Sequence, residues 1–107
     1  MTSAEQLEQK MQELWRRYRS ASLARLEVVE RAVEALNKGV LTDQLRIQAA
    51  HEAHKLAGSL GTFGMRTGST AALEIESFFS SYDSSVQKGT TEINDRVDRL
   101  KQEIEGR

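Results

Sequence analysis

Not one proline interrupts the 107 residues of this chain, so no position is barred from the interior of a helix by a locked φ or a missing N–H. Apolar residues recur at spacings of three and four, while the β-branched residues never alternate with polar ones over a strand's length. The expected fold class is therefore all-α. Thr2 or Ser3 can cap a first helix, with Glu5 or Gln6 near the capping-box position. Leu7, Met11, Leu14 and Tyr18 then form one helical stripe. Ser20 and Ser22 mark a break or bend, after which the stripe resumes with Leu23, Leu26, Val29, Val33 and Leu36 and stops at Gly39. These residues leave open whether the segment is two helices or one long kinked helix.

Thr42 or Asp43 opens the next helix, whose stripe is Leu45, Ala49, Ala53, Leu56, Leu60 and Phe63, with Gly64 as its terminator. A further helix runs from Met65 or Arg66 to Phe79 and buries Ala72, Ile75 and Phe79. Ser80 to Thr91 reads as a loop, and the last helix carries Ile93, Val97, Leu100 and Ile104 before fraying at Gly106. Four or five amphipathic helices on short connections turn their stripes inward as an antiparallel bundle. The architecture expected is an antiparallel four-helix bundle with an additional N-terminal helix, occupying residues 1–107 as a single domain.

Composition then removes whole classes of function. There is no cysteine, which excludes disulfides and thiolate metal sites. Fifteen basic and 16 acidic residues are interspersed, for a net charge of −1, without the one-sided basic excess of a nucleic-acid binder. Arg16, Arg17 and Arg19 are a solvated helix face beside acidic neighbours. The apolar runs are far too short to span a membrane, and Met1 to Lys10 has no apolar signal core. The chain is expected to be cytoplasmic.

One helix departs from the generic pattern. At 100° per residue, His54 lies about 145° from the middle of the apolar stripe and His51 about 155° away on the other side. Both imidazoles should face solvent, and Ile47, Ala50, Gly58 and Gly61 share that outer face. An outer face is ordinarily lined with Lys, Glu, Gln and Arg. Gly58 and Gly61 stack along the face of His54, each at a cost on the order of 1 kcal/mol relative to alanine. Bare backbone beside an exposed imidazole suits the approach of another protein, with Ile47, Ala50 and Ala57 supplying apolar contact and His51 at the flank. An imidazole with an unperturbed pKa of about 6.5 is a competent nucleophile near neutrality. The sequence places no acid–base partner of triad type next to it and no phosphate-cradling glycine loop. This combination fits a group carrier better than an enzyme.

The stretch His54-Lys55-Leu56-Ala57-Gly58-Ser59-Leu60-Gly61-Thr62-Phe63-Gly64 resembles the histidine-phosphotransfer motif of two-component phosphorelays. Ala53, His54, Leu56, Gly58, Ser59 and the later Gly64 match in register. Leu36, Gly39 and Leu41 upstream and the run from Ala71 to Glu76 downstream are also similar to that family, so the likeness covers roughly residues 23 to 80. The resemblance implies a four-helix bundle whose exposed His54 takes a phosphoryl group, on Nε2, from a receiver-domain aspartyl phosphate or a kinase and passes it to another receiver. It implies partners that are receiver domains or histidine kinases, a monomeric carrier without its own kinase or ATP site, and no cofactor, magnesium residing on the receiver. Lys55, Gly58 and Ser59 would neighbour the phosphate. One departure is Ala57, where the family usually has a lysine whose charge would face the phosphoryl oxygens; Lys55 is the available substitute but lies about 100° around the helix.

Two other readings compete. A degenerate module could bind receivers or kinases without taking phosphate. His51 and His54, three residues apart, could also share a metal ion, but that spacing is a weak signal and no further ligand is identifiable. The glycines have a plainer explanation in close helix–helix approach, which suits Gly64 best and the outward Gly58 least. Trp15 and Tyr18 read as interhelical packing, and Ser59 and Thr62 as bonding to backbone.

Overall fold

The computed structural model describes residues 2–83 and 90–106. Four helices account for nearly all of them: α1 (Ser3–Asn37), α2 (Asp43–Thr62), α3 (Arg66–Ser80) and α4 (Thr91–Glu105). No strand occurs among the described residues. Of the expected loop from Ser80 to Thr91, residues 84–89 lie outside the described residues. No helix among the described residues is long and apolar enough to cross a membrane.

The helices form a closed antiparallel ring, and polar contacts across each seam fix the register. Arg25 on α1 meets Glu52 on α2 at 3.3 Å, and Lys101 on α4 meets Glu30 on α1 at 3.6 Å. Arg96 on α4 pairs with Glu74 on α3. The predicted stripes are the core: Leu26, Val29 and Val33 of α1, Ala49, Ala53, Leu56 and Leu60 of α2, Ala72, Ile75 and Phe79 of α3, and Ile93, Val97, Leu100 and Ile104 of α4 are all buried. Such burial is the main favourable term in a bundle of this size.

The helix boundaries follow from local chemistry. Thr2 accepts a hydrogen bond from the Glu5 amide at 3.2 Å, the N-cap bond of a first turn, while its hydroxyl donates to Glu5 Oε1 at 3.0 Å. Thr42 does the same for α2 by accepting from the Leu45 amide at 3.2 Å. Helices α1 and α2 both end where a glycine adopts a left-handed backbone, Gly39 and Gly64 each with φ of 73°. Beyond them Val40 N–H donates to Ala35 O at 2.8 Å and Met65 N–H to Leu60 O at 2.9 Å, satisfying carbonyls the helix leaves open. Gly64 therefore serves the turn rather than close packing, since a Cβ there would meet nothing within 4 Å. The close-packed glycine is Gly68, where a Cβ would lie 2.7 Å from Glu103 Cγ and 3.1 Å from Leu60 Cδ1.

The additional N-terminal helix is not a separate element. It is the first half of α1, which runs unbroken for 35 residues. Ser20 and Ser22 do not bend it, because serine costs only a few tenths of a kcal/mol in a helix and neither proline nor glycine stands nearby. At 1.5 Å per residue α1 is about 52 Å long, close to the 57 Å length of the molecule, which is 19 Å in each other direction. The shorter helices stop level with its middle: Phe63, just after α2, meets Trp15 edge-on at a centroid distance of 5.4 Å, and Arg19 reaches the Glu105 carbonyl at the end of α4. Trp15 is consequently buried. Leu7, expected in the core stripe, is exposed because no helix extends far enough to cover it. Leu14, also expected there, is next to the buried Trp15, and Tyr18 is half exposed with its ring 5.9 Å from Phe63; both lie off the buried face, which runs through Met11, Trp15 and Ser22.

Candidate functional site

Helix α2 carries the site, and its inward stripe dictates what faces out. With Ala49, Ala53, Leu56 and Leu60 buried, His54 is driven to the opposite side, where its side chain is 71% exposed. His51, Gly58 and Gly61 are exposed as expected, and Ile47 retains 58% exposure. Ala50 is half-buried. Ala57 does not belong to the outer face: it is 6% exposed and part of the core. The reason is the tight seam with α3, where Ser69 Oγ donates to the Ala57 carbonyl at 2.8 Å. Gly61 permits that approach, since a Cβ on it would lie 3.3 Å from Ser69 Oγ. Gly58 is different: a Cβ there would meet nothing within 4 Å, so nothing inside the bundle requires a glycine at this position.

The decisive contact comes from α3. Glu76 Oε2 lies 2.6 Å from His54 Nδ1. An ionised carboxylate can only accept, so Nδ1 carries the proton and donates it. In a neutral ring the lone pair then resides on Nε2, which points away from Glu76. No spacing along α2 points to this partner, because Glu76 is 22 residues downstream and on another helix. Only the α2–α3 register brings it to the ring, from the end of the family-like run Ala71 to Glu76.

Lys55 turns the other way, 3.8 Å from Glu52, which also holds Arg25 of α1. The lysine thus sits on the α1 side of α2 and the histidine on the α3 side. Ser59 is half-buried. Thr62 Oγ1 donates to the Gly58 carbonyl at 3.0 Å, the backbone bonding expected of it. Among the described residues no group of three or more His, Asp or Glu side chains is placed to hold a metal ion, so the His51–His54 pair finds no third ligand there.

Residues 13–106 match the family model of the histidine-phosphotransfer (Hpt) domain. The chain belongs to the Hpt family. It is also 32% identical over 95 residues to Protein RcaC of Microchaete diplosiphon, an alignment covering 89% of this chain and 15% of RcaC. The chain thus spans a small part of the length of that relative. No solved structure matches it. As an Hpt domain the protein has a phosphorelay-related role in two-component signalling, in a family of phosphocarriers that lack ATP-binding activity and interact with receiver domains and kinases.

Proposed function

We propose that His54 is the phosphorylated residue and that this Hpt domain shuttles a phosphoryl group between receiver domains. The Nε2 lone pair attacks the phosphorus of a receiver's aspartyl phosphate. An N–P bond forms, the acyl O–P bond breaks, and the aspartate leaves as a carboxylate. The ring keeps its Nδ1 proton and gains positive charge, which the Glu76 carboxylate 2.6 Å away offsets. The same steps in reverse load the next receiver. Magnesium and the remaining catalytic groups belong to the receiver, so the carrier needs no cofactor and works as a monomer. Gly58 and Gly61 leave room for the receiver's loops, with Ile47, Ala50 and His51 around the contact. Lys55 and Ser59 neighbour the phosphate, and Lys55 reaches it only by leaving Glu52.

The observation that carries this reading is an imidazole exposed on a bare helix face with its Nδ1 held by a carboxylate. The test is transfer from receivers carrying labelled aspartyl phosphate. The label should appear on this protein as an acid-labile, base-stable phosphoramidate, and His54→Gln should abolish it while His51→Gln leaves it intact. Labelling that persists in His54→Gln would overturn the assignment.

Ala57 and the engagement of Lys55 with Glu52 favour one second reading, a module that binds receivers without accepting phosphate. Receiver binding of normal strength, with no transfer and no sensitivity to His54→Gln, would identify it.

A further inference from the structure

Helix α3 presents a row of side chains to α2 at spacings of four and three: Ser69, Leu73 and Glu76. The two outer members are anchored on α2, Ser69 to the Ala57 carbonyl and Glu76 to the His54 ring. Leu73 lies between them on the same row, so it stands beside the stretch from His54 to Gly58. It is nevertheless 51% exposed, and it leaves the space above Gly58 empty, since a Cβ on that glycine would touch no atom within 4 Å. The Gly58 backbone is thus bare, one turn after the exposed His54 imidazole on its own helix, and the half-exposed Leu73 stands on the facing row of α3. Ile47, two turns before His54 on α2, is the other large exposed hydrophobic residue on this face.

We infer that Leu73 is the apolar anchor by which this protein selects its phosphodonor, a receiver domain that sets an apolar helix or loop beside its aspartyl phosphate. The inference rests on the phosphocarrier reading of His54 and adds to it a residue on α3 that makes no contact with phosphate. Three features point to a macromolecular donor of this kind. The leucine lies on the helix row that also holds the nucleophilic ring through Glu76, the bare Gly58 admits close backbone approach, and a leucine half out of water gains free energy when a partner covers it. A small phosphodonor would gain nothing from it.

The experiment compares two donors on Leu73→Ala and Leu73→Gln. Both substitutions are tolerated by an exposed helix position, and circular dichroism checks that both variants fold. Phosphoramidate labels histidine without docking, whereas receiver domains charged with acetyl phosphate must dock. Labelling by phosphoramidate should be unchanged, while KM for the receiver rises about tenfold and kcat stays within about twofold, the tenfold being equivalent to about 1.4 kcal/mol. Calorimetric titration with the uncharged receiver should show the same loss. Wild-type KM and affinity in both variants would overturn the role of Leu73 alone. Failure of phosphoramidate to label wild-type His54 would instead strike the phosphocarrier reading, and calorimetry, which needs no phosphate, would still decide whether Leu73 docks.

Discussion

Glu76 on α3 accepts a hydrogen bond from His54 Nδ1 on α2 at 2.6 Å, and this contact across the seam sets which ring nitrogen is free. Glu76→Ala should slow phosphotransfer roughly 10- to 100-fold through kcat, the kinetic equivalent of the about 1.5–3 kcal/mol carried by a hydrogen bond to a charged group. Glu76→Gln keeps an acceptor and should recover part of the rate. Nitrogen NMR of His54 provides an independent readout: the Nδ1–H tautomer should dominate the neutral ring in wild type and lose its dominance in Glu76→Ala. An unchanged tautomer ratio would remove Glu76 from this role.

Two glycines should respond to alanine with opposite signs. At Gly58 the added methyl meets open space, so Gly58→Ala should stabilise the free protein by about 0.4–1 kcal/mol through helix propensity. The same methyl stands where a receiver approaches, and transfer should weaken. Gly68→Ala drives a methyl against Glu103 and Leu60, and overpacking should outweigh propensity, for a net loss of about 1–3 kcal/mol. Urea melts of the two variants check both signs.

Trp15 is the only tryptophan and closes one end of the core against Phe63. Trp15→Ala should cost about 3 kcal/mol. Phe63→Ala should shift the tryptophan emission to the red before any global unfolding, and an unmoved spectrum would contradict the edge-on contact.

At the other end of α1, Lys38 Nζ lies 2.9 Å from Glu34 Oε1. The hydrogen bond and charge of Lys38 hold the Glu34 carboxyl below its ordinary 4.5, and Glu34 raises Lys38 above its ordinary 10.5. A lowered carboxyl contributes stability above its unfolded value and loses it as pH falls through the folded one; a raised amine contributes below its unfolded value and loses it as pH climbs through the folded one. The pair should therefore be in force from about pH 5 to 10, and because it is exposed its effect should fade with salt. In an NMR titration, Lys38→Met should return the Glu34 midpoint upward.

Much of this molecule was legible from periodicity. The stripes of α2, α3 and α4 repeat every three or four residues, and each is the buried face. The exposed His54 followed from the same arithmetic. Tertiary distances were not legible in this way. Whether Leu7 is covered depends on where α2 and α4 end relative to α1, which no property of α1 encodes. Ala57 was expected to offer apolar contact beside His54, yet it stands only about 80° from the middle of the buried stripe, and α3 closes over that flank because Gly61 lets Ser69 in. Glu76 was invisible for a related reason: its partnership with His54 is a matter of register between two helices, whereas sequence spacing reports neighbours along one.

The continuity of α1 also governs how the molecule tumbles. Its body is about three times as long as it is wide, and all four helices run along the long axis, so their amide N–H vectors are nearly collinear with it. Reorientation of those vectors requires end-over-end rotation, the slowest available to a rod. Helical amides should therefore relax in ¹⁵N experiments like those of a heavier protein, and a correlation time read from them under a spherical approximation would overstate the mass.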